Sequence, residues 1–177
     1  MKKEIEMQTT TKSQAGYAAD KQLFNAAGVL LQFLVSPAEV GDAICLIRGT
    51  MQPKVVVPLH KHADPELLYV LEGSLQVYRS NEEASGWTNA SVGDVIIIPG
   101  SVRHALRNSS SVPVTLVLVT KSELYSFFRE LARPFDPSQP AATPAPEAMQ
   151  QLFEVAAKYG YWLASPAENA AIGLNIV

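Results

Sequence analysis

Between residues 22 and 120 the sequence consists of short runs rich in Val, Ile and Leu, separated by Gly, Pro, Asn and Ser. Examples are KVVVPLH, ELLYVLEG, DVIIIP and VTLVLV, each about as long as one β-strand. The breaks recur at intervals of roughly 8–12 residues, and no helical pattern separates the runs. A parallel sheet with crossover helices is therefore disfavoured, and the spacing predicts an all-β sandwich or barrel.

After residue 120 the apolar residues recur at helical spacing. In SELYSFFRELAR, Leu124, Phe127, Phe128 and Leu131 stand at i, i+3, i+4 and i+7, which predicts a helix with one apolar face. Ser122 is the predicted N-cap of this helix. The apolar stripe could form a roof over the mouth of a barrel. The simpler interpretation is that it packs the helix onto the sheet or onto a second copy of the chain.

A second helix is predicted in PEAMQQLFEVAAKYG, with Pro146 in its first turn and Gly160 at its C-terminal stop. SPAE at 165–168 has the pattern of a capping box, which predicts the start of a third helix. The apolar face of the second helix is predicted to comprise Met149, Leu152, Phe153 and Ala156.

These patterns predict three parts of the chain. Residues 1–20 are polar and aperiodic and are predicted to form a flexible tail. Residues 21–120 are predicted to form the β-barrel, and 121–177 a helical extension. Within that extension, 134–146 is a proline-rich connector.

Charge and cysteine content exclude several classes of partner. The net charge is −3 and no stripe of Lys or Arg occurs, so nucleic acid and anionic membranes are not expected to bind. The single cysteine, Cys45, permits no disulfide within the chain. It is predicted to be a small buried apolar residue. The N-terminal residues do not resemble a signal peptide, and VTLVLV is too short to span a bilayer. A cytoplasmic location is the default expectation.

The chain has only three histidines, and two of them are one residue apart. On a strand, His60 and His62 project to the same face. Glu66 opens the next strand run after a turn, and His104 follows a further strand and a tight turn, so strand pairing could bring all four together. A His-x-His pair alone is equally consistent with hydrogen-bonded structural histidines. Three imidazoles and one carboxylate together suit a divalent transition metal ion such as Fe, Mn, Ni, Co or Zn.

The stretch around the histidine pair resembles the first motif of the cupin superfamily. That motif is Gly, five residues, His-x-His, three or four residues, Glu, six residues, Gly. His60, His62, Glu66 and Gly73 match it at the right spacing, whereas Lys54 stands where the leading glycine is expected.

The second cupin motif is Gly, five residues, Pro-x-Gly, two residues, His, three residues, Asn. Gly93, Pro99, His104 and Asn108 match it, and Ser101 replaces the inner glycine. The C-terminal part also bears a general similarity to the tails of single-domain quercetinase-like cupins.

The resemblance covers about residues 40–120 and implies a small antiparallel β-barrel of the jelly-roll type with a metal ion inside. Because cupin domains are frequently homodimers, the resemblance also implies a homodimer. The resemblance implies that His60, His62, Glu66 and His104 are the metal ligands. It implies only turn and framework roles for Gly73, Gly93, Pro99 and Asn108.

The function expected from the resemblance is that of a metal-dependent oxidoreductase, a dioxygenase acting on a small aromatic or enol-type substrate. Glu66 is the candidate catalytic residue as well as a ligand. Phe127, Phe128 and Leu131 are the candidate substrate-binding residues. Two alternatives remain: a non-oxidative isomerase, decarboxylase or hydrolase, and a non-catalytic barrel that binds a small molecule.

Overall fold

The structure is a computed structural model that describes residues 22–80, 85–138 and 146–176. The predicted tail, 1–20, and residues 139–145 of the predicted connector lie outside the described residues. Among the described helices, none is long and apolar enough to cross a membrane.

The described residues form twelve strands in two antiparallel sheets, which confirms the predicted all-β barrel. The strands are β1 Leu23–Ala26, β2 Val29–Val35, β3 Cys45–Met51, β4 Val56–Lys61, β5 Glu66–Glu72, β6 Ser74–Ser80, β7 Ser85–Ser91, β8 Val95–Ile98, β9 Arg103–Arg107, β10 Val114–Thr120, β11 Arg133–Phe135 and β12 Trp162–Leu163. The helices are a 3-10 turn at Pro37–Val40, α1 Ser122–Leu131, α2 Pro146–Lys158 and α3 Pro166–Ala171.

The two sheets face each other across an apolar interior. The larger sheet has the order β11-β1-β2-β3-β10-β5-β8, and the smaller has the order β12-β4-β9-β6-β7. Strand β5 shows how the sequence alternation sets the two faces: Glu66, Leu68 and Val70 are buried, whereas Leu67 and Tyr69 face outward. The strand therefore carries the acidic side chain into the barrel on an otherwise apolar face.

Helix α1 lies where the sequence predicts it, but its N-terminus is held differently. The N-cap is Lys121 rather than Ser122, and no side chain of that residue caps the helix. The carboxylate of Asp64 instead accepts a hydrogen bond from the backbone N–H of Leu124 at 2.9 Å. Asp64 lies in the turn between His62 and β5, so this contact ties the helix to the loop of the first motif.

Replacing Asp64 by Ala is expected to reduce the free energy of unfolding by about 1 kcal/mol, the typical cost of losing a side-chain cap. Asp64→Asn is the matched control, because its amide oxygen can still accept the hydrogen bond from Leu124 N–H. Urea denaturation of the metal-free proteins measures both effects. Equal losses in the two variants would show that the cap contributes nothing.

The predicted apolar face of α2 needs one correction. Phe153 is 48% exposed, whereas Val155 is buried together with Leu152 and Ala156. The reason is that α2 packs against α1 and the barrel through a face centred between Leu152 and Ala156, and position 153 points away from it.

The C-terminal extension is part of the barrel in addition to being helical. Strand β11 pairs with β1, and β12 pairs with β4 at the edge of the smaller sheet. Asn169, buried in α3, holds this edge: its Oδ1 accepts a hydrogen bond from Leu59 N–H at 2.9 Å, and its Nδ2 donates to Ala164 O and Ser165 O. The extension thereby braces the strand that carries the first histidine.

Candidate metal centre

Strand pairing brings the two motifs together. Strands β4 and β9 are antiparallel neighbours, and His60 stands directly opposite His104 in their register. The two imidazole centroids are 4.1 Å apart. His62, one residue beyond the end of β4, follows the same alternation, and its ring lies 5.4 Å from that of His60 and 5.1 Å from that of His104.

Glu66 reaches the same point from the opposite sheet. Its Oε1 lies 3.0 Å from Nε2 of His62 and 3.6 Å from Nε2 of His104. One ligand atom from each of the four residues lies within 4.8 Å of the others. The sequence-based expectation that the barrel gathers three imidazoles and one carboxylate therefore agrees with the geometry.

The orientation of the three imidazoles is fixed by backbone carbonyls. Nδ1 of His60 is 2.8 Å from Pro58 O, Nδ1 of His62 is 2.8 Å from Asp64 O, and Nδ1 of His104 is 2.9 Å from Val102 O. A carbonyl oxygen only accepts, so each Nδ1 carries the proton and donates it. In the neutral imidazoles, each Nε2 lone pair is then available to bind an ion.

The donor set fits a divalent transition metal ion. Nε2 of His104 is buried and has no hydrogen-bond partner within the described part of the chain, which is uncommon for an interior polar atom. Coordination to an ion would satisfy that atom. Two imidazole nitrogens and a carboxylate beside it complete the mixed nitrogen and oxygen set that Fe, Mn, Co, Ni and Zn accept. The cluster could therefore hold a metal ion.

Electrostatics in the cluster favour the ligand forms of His60 and Glu66. At His104, burial lowers the pKa but the neighbouring Glu66 carboxylate outweighs it and raises that pKa. Burial, with help from the neighbouring imidazoles, lowers the pKa of His60 to about 3, so this ring is neutral at physiological pH. Burial alone would raise the pKa of Glu66, but His104 and His62 outweigh it and hold that pKa well below the usual range. A neutral imidazole and an ionised carboxylate are the forms that bind metals.

Residues 47–120 match the family model described as a cupin domain. This part of the chain has the cupin fold. Comparison with curated protein sequences finds no match.

Solved structures share this cupin fold at low identity. Peruvianin-I, a cysteine peptidase from Thevetia peruviana latex, is 18% identical with a TM-score of 0.51, over 64% of this chain and 76% of that one. The Drosophila melanogaster CENP-C cupin domain is 20% identical with a TM-score of 0.50, over 57% and 71%. A recombinant oxalate oxidase in complex with glycolate is 19% identical with a TM-score of 0.47, over 55% of this chain and 53% of that one. At these identities the likeness is one of fold alone.

The two departures from the cupin motifs keep the backbone geometry of the glycines they replace. Lys54 has φ +67° and Ser101 has φ +66°, both in the left-handed region that favours glycine. Ser101 N–H donates a hydrogen bond to His62 O at 2.7 Å, which joins the second motif to the first. Gly100 meets a different requirement, because a Cβ at this position would collide with the carbonyl oxygen of Ala63.

A cavity of about 700 Å³ opens beside the cluster within the cupin barrel. His60, His62 and Glu66 form part of its wall, and most of the remaining wall is apolar. The wall includes aliphatic residues of both sheets, among them Leu31, Ile47, Leu68, Leu106, Leu116 and Leu118. Such a volume and lining suit a small organic molecule with a few polar groups.

The three candidate substrate-binding residues of α1 all lie on this cavity. Phe127 and Leu131 are buried in the core, and Phe128 is partly buried against it. The stripe therefore does both things considered from the sequence: it packs the helix onto the barrel, and it covers one side of the cavity.

Tyr161 also lines the cavity, although it is not among the candidate site residues predicted from the sequence. Its ring centroid lies 5.2 Å from that of His62 and 4.9 Å from that of Phe127. Burial raises the pKa of its phenol. The available signal was Gly160, because a helix that ends at a left-handed glycine commonly packs the next residue back against itself.

Cys45 lies apart from the site. It is fully buried, it is not among the residues that line the cavity, and its Sγ contacts Thr120 O at 3.6 Å. Burial raises the pKa of the thiol to about 11, so it stays protonated. The expectation of a small buried apolar residue is confirmed.

Proposed function

We propose that this cupin domain is a metal-dependent dioxygenase whose substrate is a small aromatic or enol-type molecule bound in the barrel. One observation carries the proposal: ligand atoms of three imidazoles and one carboxylate lie within 4.8 Å of one another beside a largely apolar cavity of about 700 Å³, and His60, His62 and Glu66 form part of its wall. A structural metal site would be enclosed by its ligands, whereas this cluster faces a space that admits a ligand.

His60, His62, Glu66 and His104 would hold the ion. A divalent metal with four protein ligands keeps one or two open positions, at which it supplies Lewis acidity and, for a redox-active ion, electrons. The hydrogen bonds from the three Nδ1 atoms to backbone carbonyls would keep the rings aimed at the ion through a reaction.

Glu66 has a second proposed role. Among the described residues that line the cavity, it is the only carboxylate. A carboxylate in this position can accept the proton of a substrate hydroxyl group at one of its oxygens. The apolar wall, including the α1 stripe, would bind the substrate ring and exclude water from the site.

The test begins with elemental analysis of protein purified without added metal. Apoprotein is then loaded separately with Fe(II), Mn(II), Co(II), Ni(II) or Zn(II), and oxygen uptake is measured with flavonols and catechols. We expect uptake with a redox-active ion and none with zinc. His62→Ala is expected to lose metal and oxygen uptake together.

Two results would contradict the dioxygenase. Turnover that persists in strict anaerobiosis, or with zinc, would select the non-oxidative alternative. Tight binding of a ligand without any turnover, under every metal, would select the non-catalytic binding barrel. A cytoplasmic location stays a prediction.

We also propose that the protein is a homodimer that pairs through the outer face of β5 and β8. β8 is an edge strand of the larger sheet. Leu67 stands opposite Ile97 and Tyr69 opposite Val95, so four exposed side chains form one apolar patch. The exposed fractions of these four side chains range from 39% for Leu67 to 58% for Val95, which is unusual for adjacent large apolar side chains. A flat patch with this pairing can meet a second copy of itself across a two-fold axis.

Ile97→Glu is expected to raise the dimer dissociation constant at least about tenfold, because it places a charge inside an apolar interface. Sedimentation velocity over a dilution series measures this constant. Val112→Glu is the matched control, since Val112 is 54% exposed and lies in the turn before β10. A wild-type monomer, or a dimer that Ile97→Glu leaves intact, would rule out this face.

A further inference from the structure

Tyr161 enters the cavity from the C-terminal extension, about 100 residues after the first motif. The turn that directs it there is a helix stop of the Schellman type: Tyr161 N–H donates to Ala156 O, and Gly160 N–H donates to Ala157 O. Gly160 has φ +67°, which reverses the chain at the end of α2. The chain then continues into β12, whose Leu163 stands opposite His60.

Strand alternation puts Tyr161 on the inner side of this segment. Tyr161 and Leu163 both line the cavity, whereas the intervening Trp162 packs on the other side, where the guanidinium of Arg103 lies 4.3 Å from its ring. The ring of Tyr161 is thus held between the cluster and α1 by its contacts with His62 and Phe127.

The hydroxyl group of Tyr161 is buried and has no hydrogen-bond partner among the described residues. Its neighbour Tyr159 differs, because the Tyr159 hydroxyl donates to the carboxylate of Glu130 at 3.2 Å. A buried hydroxyl without a partner costs free energy that a phenylalanine at the same position would not. At position 161 a tyrosine therefore stabilises the fold less than a phenylalanine would. This points to a role of the hydroxyl in binding a ligand.

We propose that Tyr161 is a substrate-binding residue whose hydroxyl forms a hydrogen bond with an oxygen of the bound substrate beside the metal centre. The inference rests on the proposed function, because it assigns the substrate class of that same site: a ring compound that carries at least one hydroxyl or carbonyl oxygen. The apolar wall binds the ring, and Tyr161 selects for the oxygen.

The test uses the full chain loaded with zinc, so that no turnover obscures binding. The probes are 2,3-dihydroxynaphthalene and naphthalene, which share a ring system and differ in their oxygens, and both are followed by fluorescence. Tyr161→Phe is compared with wild type and with Tyr159→Phe as the matched control. Zinc content and the midpoint of thermal unfolding without ligand are measured for each protein.

For Tyr161→Phe we expect the dissociation constant of 2,3-dihydroxynaphthalene to rise about 2- to 12-fold, the value of one hydrogen bond. The dissociation constant of naphthalene and the zinc content should stay as in wild type. The unfolding midpoint should stay the same or rise by a few degrees, since an unpaired buried hydroxyl is removed. Tyr159→Phe should leave both dissociation constants unchanged.

Three results would overturn the assignment of Tyr161: unchanged binding of the hydroxylated probe, an equal weakening of both probes, or a lowered unfolding midpoint. Unchanged binding would show that the Tyr161 hydroxyl forms no hydrogen bond with the ligand. Equal weakening of both probes would show that the ring only packs against the ligand, and a lowered midpoint would show that the hydroxyl stabilises the fold. Failure of the proposed function looks different. Wild type itself would then hold no metal, or would bind no hydroxylated probe, and the assignment of Tyr161 would fall with it.

Discussion

Glu66→Gln protein is expected to bind divalent metal at least about 100-fold more weakly than wild type, because an amide replaces the only anionic ligand of the cluster. The substitution keeps the size and shape of the side chain, so the barrel should retain its packing. Competition against a chromophoric chelator measures the affinity. Oxygen uptake with flavonols or catechols should be lost with the metal.

The control for this variant lies on the same strand. Glu72 is at the other end of β5, where its carboxylate accepts a hydrogen bond from Thr115 at 3.1 Å, away from the cluster. Glu72→Gln makes the same chemical change and should leave metal affinity unaltered. If Glu66→Gln retained wild-type affinity, the carboxylate would not be a ligand, and the proposed role of Glu66 as proton acceptor would lose its basis.

Gly100→Ala is expected to lower the free energy of unfolding by roughly 3 kcal/mol, at the upper end of what one added methyl group costs. The added Cβ would collide with the carbonyl oxygen of Ala63, a backbone atom that cannot rotate away. Ala63 follows His62, whose own carbonyl oxygen accepts the hydrogen bond from Ser101. We therefore expect weaker metal binding as well as lower stability. Urea denaturation and chelator competition measure the two effects.

Gly86→Ala provides the comparison for this prediction. Gly86 lies in β7, and a Cβ there meets nothing within 4 Å. Its stability and metal affinity should match wild type within about 0.5 kcal/mol. A Gly100→Ala protein that behaves like Gly86→Ala would show that the two motif loops can separate without cost, and that their contact does not position His62.

Several features could be predicted because they depend on local order in the sequence. The alternation in ELLYVLE sets the inward face of β5, and the spacing of His60 and His62 sets a common direction for two imidazoles. The capping box at Ser165 and Glu168 also forms as its sequence pattern predicts. In each case the information lies within a few residues, where strand and helix geometry leave few alternatives.

Other features depend on contacts between distant residues and could not be predicted. Asp64 caps a helix that begins nearly 60 residues later, a contact that no local pattern near Ser122 indicates. The exposed position of Phe153 follows from where α2 meets the barrel. Gly160 indicates a turn after α2, but no local pattern indicates that the segment after this turn pairs with β4 and so places Tyr161 at the cavity.

The sequence by itself determined that residues 22–120 would form short strands of an all-β fold and that His60 and His62 would share one face, since residue alternation and motif spacing act at short range. Only the tertiary structure decided what surrounds them: the cavity shape, the apolar roof of α1, and a phenol delivered by the C-terminal extension. The physical reason is that these depend on which strand edges and helix faces remain to be covered once the barrel has closed, and burial of apolar surface is non-directional.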